Sequence, residues 1–200
     1  MDIAVIRALH FPARWLAVVA LGALIAGCAS TTVSLTPPQP RPVCDPSAAA
    51  LVVWAPQWRP DQKDIAEREA AAATGLKDFL AAADCFARSE ARRVPDLTAA
   101  TVGAQATNTI GGHTRLVAIG VRELGPTVKL LSSAALVEGG TEVVLHVTDY
   151  SVPAAMPVRE FTVHWKHGGP GVVKGVASLA SDMQAALRAG LRAGPAPSHR

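Results

Sequence analysis

Three histidines are the first residues in this chain whose types and spacing could support chemistry. His164 and His167 stand in an H-x-x-H arrangement within His164-Trp165-Lys166-His167, and His146 lies upstream. A metal would need two of them on one side of the backbone. On a helix three residues nearly completes a turn, but on a strand it sends the two rings to opposite faces. The surrounding residues, Phe161, Val163 and Trp165 alternating with Glu160, Thr162 and His164, have the period of a strand. His146 and His164 can share an outward face on neighbouring strands, beside Thr148 and Thr162, and no C-x-x-C or H-E-x-x-H motif supplies further ligands. A solvated sheet face is the plainer reading. The stretch 168–175 (GGPGVVKG) looks like a phosphate loop at first, but Lys174 is followed by Gly175 and the G-x-x-x-x-G-K-[ST] pattern is absent. No G-x-S-x-G elbow offers a nucleophile, and the acids form no obvious pair. The expectation is a protein that is not an enzyme and uses no metal or cofactor.

The cysteines say more. Arg7 and Arg14 precede the uncharged stretch Trp15–Ile25, and Ile25-Ala26-Gly27-Cys28 follows. Eleven apolar residues suit a signal-peptide core and are too few to cross a bilayer. Aliphatic, small, small, Cys resembles the bacterial lipobox, which implies cleavage before Cys28 and acylation of its thiol and new amino group. An ordinary secretory signal with an incidental cysteine is the alternative. Several acyl chains anchor stably where one is marginal. In the Gram-negative sorting rule, Asp after the lipidated Cys favours the inner membrane. Ala29 stands there, so the expected address is the periplasmic side of the outer membrane, with the inner membrane still open.

With Cys28 assigned to lipid, Cys44 and Cys85 remain. In an oxidising periplasm an even remainder suggests a disulfide. Cys44 precedes a strand, Cys85 follows the next helix, and such a helix returns the chain to the end where the strand began. Two separate thiols, with Cys85 buried, are the alternative.

The elements that must hold these residues read as one domain. Residues 1–27 form the signal peptide, 28–47 a Pro/Ser/Thr-rich lipidated tether, 48–193 the domain, and 194–200 a loose tail. Aromatics are only 4% of residues, so the core must rest on Val, Leu and Ala. Leu51–Trp54 reads as a strand. Residues 61–84 read as a helix capped by Asp61, with Ile65, Ala72, Leu76, Phe79, Leu80 and Ala83 inward. Residues 86–94 make an edge strand, and 97–108 a weaker helix capped by Asp96. The second half is a meander: 115–123, a turn at Gly125-Pro126, 127–137, a hairpin at Glu138-Gly139-Gly140, 141–152 and 158–165. A final helix spans 177–193. The order β-α-β-α-β-β-β-β-α predicts an α+β fold, a mixed sheet with helices packed on one face.

This order, with the passages 75–94 and 115–137 and the closing helix, resembles small envelope lipoproteins. Their domain is similar to the N-terminal domain of TolB and to the auxiliary lipoproteins of ABC-type transport systems. The resemblance implies a lipid-anchored binding or scaffold protein. It would be held to the membrane through Cys28 and serve an envelope protein partner in transport or assembly. Regulation of a peptidoglycan-synthesis enzyme is the other role such lipoproteins take. A net charge of +3 with no Lys/Arg run argues against nucleic acid. Trp54 and Trp58, flanking Pro56, and Met156 in the apolar segment 153–157 are the candidate partner contacts, and packing on the core explains the two tryptophans at least as well.

Overall fold

The computed structural model describes residues 29–39, 41–82, 85–107, 112–131, 136–152 and 154–192, with backbone alone for 129–131 and 136–137. The expected signal peptide (1–27), Cys28 and the expected tail lie outside the described residues.

The chain runs β1 (Ser30–Thr36), β2 (Asp45–Pro56), α1 (Ile65–Ala81), β3 (Phe86–Arg93), α2 (Ala99–Thr107), β4 (Arg115–Leu131), β5 (Leu136–Ser151), β6 (Met156–Pro170) and, after a short 3₁₀ turn, α3 (Leu179–Leu191). One six-stranded sheet has the order β1-β6-β5-β4-β2-β3. β2 lies parallel to β3 and to β4, as helical crossovers require, and the other pairs are antiparallel. The fold is therefore α+β with a mixed sheet, as the sequence implies.

Alternation along the strands sorts the core into two layers. Ala50, Val52 and Trp54 of β2 face α1 and α3 with Val117, Ile119, Leu145 and Val163. Leu51, Val53 and Ala55 face the other way and are covered by Val102 and Ala106 of α2. Two helices thus share one face, and the short α2 covers part of the opposite one. That placement refines the expectation of a single helical face. It follows from β2 being central: a strand apolar at every position must be covered on both sides. α3 buries Leu179, Met183, Ala186, Leu187 and Leu191, the stripe read from sequence. α1 begins at Ile65 behind Asp64, whose side chain makes no cap, so Asp61 does not cap this helix. Thr98 Oγ1 accepts the Thr101 amide at the start of α2, and Asp96 Oδ1 takes the Thr98 amide and both threonine hydroxyls.

Three further readings are corrected. Residues 30–36, expected within a free tether, form an edge strand paired with β6 from Ser30↔Gly168 to Thr36↔Thr162. Gly125-Pro126 is not a turn, because β4 runs straight through it to Leu131. β2 stops pairing at Pro56↔Val121, so Pro126 lies where β4 has a neighbour on one side only, the place a strand tolerates proline. Glu138-Gly139-Gly140 is likewise no hairpin but the interior of β5. There Gly140 faces Gly168, and a Cβ on Gly140 would meet the His167 carbonyl at 2.5 Å.

Candidate functional site

The N-terminal strand and what surrounds it carry most of the functional geometry. β1 starts at Ser30, and covalent geometry keeps Cys28 within about 7 Å of it. Ser30 Oγ donates to Gly168 O (3.4 Å), and Thr31 Oγ1 lies 2.8 Å from His167 Nδ1. His167 stacks on Trp165 at 5.8 Å on the helical face, while His164 faces the other side, as strand geometry requires.

At the far end of β1 the chain returns to β2 through a clip of arginines. Asp149 is 2% exposed and accepts from Arg115 Nη2 and from Arg159 Nε (2.9 Å). The same arginines donate to the connecting backbone. Arg159 bonds Arg41 O and Pro42 O at 2.8 and 3.0 Å, and Arg115 bonds Val43 O at 2.9 Å. The Val43 and Cys44 amides in turn cap Leu191 O at the end of α3. The segment expected to be loose is thus tied to two strands and a helix. Cys44 and Cys85 form a disulfide 41 residues apart, clasping the starts of parallel β2 and β3 where Asp45 pairs with Phe86. An open cleft of about 740 Å³ adjoins this clip.

The face of β5 and β6 away from α1 and α3 carries the expected histidines. His146 and His164 share it, but each is matched to an acid: His146 Nε2 lies 3.1 Å from Glu160, and His164 Nε2 bonds Glu142. Lys166 Nζ reaches Glu142 at 3.3 Å. Burial raises the Glu142 pKa, but the His164 hydrogen bond and the Lys166 charge outweigh it and hold the carboxyl below its ordinary value. Among the described residues no three His, Cys, Asp or Glu side chains converge as a metal site.

A second cleft of about 750 Å³ opens where β2 leaves the sheet and β4 continues. Glu123 is its hub, bound by Arg59 (3.2 Å), Arg68 (3.1 Å) and Gln62 (2.5 Å). Arg68 also donates to Leu124 O at 2.6 Å. The acids at the centre of these clusters are engaged by cations or amides, which suits bracing and binding.

The two sheet edges differ. β3 carries Arg88, Glu90, Arg92 and Arg93, with ion pairs Arg92–Glu90 and Arg93–Glu69 at 2.7 Å, and such charges deter a further strand. β1 (STTVSLT) carries no charge, and among the described residues nothing pairs with its outer edge.

Of the candidate partner contacts, Trp54 is a core residue, 4% exposed, with the Arg93 guanidinium 5.9 Å from its ring centroid. It offers no partner surface, because strand parity turns it under α1. Trp58 is partly buried against the same core, with no partner for Nε1 among the described residues. Met156 is 64% exposed at the start of β6. The sequence reading missed Asp149, Arg115, Arg159 and β1. Asp149 had a signal: it continues the inward register of Val143, Leu145 and Val147, where an acid demands a partner.

No family model matches the chain, and no curated protein does. Solved structures similar to it include the PelC dodecamer from Paraburkholderia phytofirmans: TM-score 0.42, 14% identity, covering 83% of this chain and all of that one. Lipoprotein GNA1162 from Neisseria meningitidis follows at TM-score 0.36 and 14% identity, covering 70% of this chain and 96% of that one. Protein XCC0632 from Xanthomonas campestris gives 0.37 and 13%, covering 75% and 85%. Likenesses at this level carry no argument about activity or partner. No helix among the described residues is long and apolar enough to cross a membrane.

Proposed function

We propose that this chain is a lipid-anchored lipoprotein of the Gram-negative envelope. It faces the periplasm from the outer membrane and serves as a binding or scaffold accessory of a transport or assembly system. Its work is recognition rather than catalysis. The observation that carries the reading is the position of β1: a strand that begins two residues after Cys28 joins the sheet and leaves an uncharged edge that no described residue pairs with. An acyl chain on Cys28 would hold that edge beside the membrane, and an extended segment of a partner can add to such an edge through backbone hydrogen bonds. The disulfide fits an oxidising compartment.

The test is photo-crosslinking in cells from a reactive residue at Thr32 or Ser34, with Cys28 intact. A defined envelope protein, captured from β1 but not from β3, supports the reading. Capture of wall-synthesis enzymes alone would move the function to regulation of peptidoglycan synthesis. No β1-dependent product, or a wild-type chain recovered outside the membrane fraction, refutes it.

A further inference from the structure

We propose that the end of the sheet nearest Cys28 is a second membrane contact. There Val128 of β4 and the neighbouring Val173 and Val176 seat in the phospholipid surface that receives the anchor. This rests on Cys28 being acylated.

The register fixes the geometry. Ser30 of β1 is level with Gly168 of β6, Gly140 of β5 and Thr127 of β4. Past that level β4 continues to Leu131, paired with Leu136 of β5. Four more residues at about 3.3 Å each carry the ribbon roughly 13 Å beyond Ser30. Cys28, two residues from Ser30, reaches about 7 Å at most. With the strands steep to the bilayer, the ribbon therefore extends deeper than the anchored backbone itself.

The chemistry at that end suits lipid. Val128, level with Gly139, is 67% exposed, Val173 is 88% exposed and Val176 48%. The Cβ position of Gly139 is filled by the Val172 carbonyl at 2.1 Å, so the loop after β6 crosses the ribbon on the face that Val128 shares. The exposed apolar side chains of Val128, Val173 and Val176 have no internal function in the sheet. Next to an acyl anchor they have an apolar phase within reach. Several acyl chains already secure retention, so this contact sets orientation. It holds the strands upright, so the open β1 edge rises from the surface with its backbone hydrogen-bonding groups directed sideways along the membrane plane.

The experiment uses the full acylated protein in vesicles of phosphatidylethanolamine and phosphatidylglycerol. An environment-sensitive fluorophore is placed on Val128→Cys, on Val173→Cys or, as a control, on Met156→Cys. Met156 is as exposed as Val128 but lies at the opposite end of β6. Blue-shifted emission at 128 and 173, quenched by spin-labelled lipid, with water-like emission at 156, supports the contact. Water-like emission at all three, on protein that floats with the vesicles and carries acyl groups at Cys28 by mass spectrometry, overturns this proposal alone. Absence of acyl groups at Cys28 overturns it together with the lipoprotein reading.

Discussion

Asp149 is buried between two arginines, and its Oδ1 has no partner among the described residues. The energetics of such a site are asymmetric: the assembled cluster adds little net stability, whereas removing one member strands the others. Asp149→Ala should destabilise the oxidised protein by about 3 kcal/mol, the lower end for a broken buried pair because the arginines keep some solvent access. Denaturant unfolding measures it, and a loss well under 1 kcal/mol would contradict the clip. Glu142 gives a pH signature. Its carboxyl titrates below the ordinary range when folded, so the unfolded chain binds its proton more readily. The stabilisation is complete above the unfolded value and is lost as pH falls through the lower, folded one. Glu142→Gln should flatten the acid limb of a stability–pH curve, and an unchanged limb would show that His164 and Lys166 do not hold this carboxylate. At this scale the sequence was partly legible. Cys44 and Cys85 could be paired because strand–helix connectivity puts them at one end. For Trp54 the core-packing alternative holds rather than a partner contact, because a tryptophan two residues before Pro56 looks superficial until its strand parity is known.

At the scale of elements, local punctuation misled where tertiary context overrode it. Gly125-Pro126 has turn chemistry, yet β4 passes through because its neighbour β2 has already ended. The glycine has a different use: a Cβ there would meet Arg68 Nη1 at 1.9 Å, so the absent side chain makes room for the guanidinium that bonds Leu124 O and Glu123. Gly125→Ala should therefore cost about 1–3 kcal/mol by overpacking. The penalty should shrink in an Arg68→Ala background, a coupling of at least ~0.5 kcal/mol in a double-mutant cycle. Additive effects would mean the two do not share this space. β1 escaped notice because an edge strand of seven exposed or half-exposed residues needs no apolar alternation, and Pro37 and Pro38 just after it suggest a linker. The long apolar strands and both longer helices were legible, since their inward residues recur at the period of the element.

For the whole molecule, the disulfide and the clip stiffen one end while β1 begins at the other. Closing a loop of about 40 residues is worth about 4 kcal/mol in the chain-entropy model. Reduction, or Cys44→Ser with Cys85→Ser, should lower unfolding stability by that order, and no change would mean the bond adds nothing to the folded sheet.

The placement of β1 has one more consequence, in time rather than space. Thr31 meets His167, a residue 136 positions later, so the first strand of the sheet is among the last to find its neighbour. On the proposed lipoprotein reading, a chain exported N-terminus first keeps β1 unpaired until β6 has emerged. Closure of the sheet would then mark the end of the interval in which the proposed acylation precedes folding, and a variant that folds faster would leave the lipid-transferring enzymes less time to act.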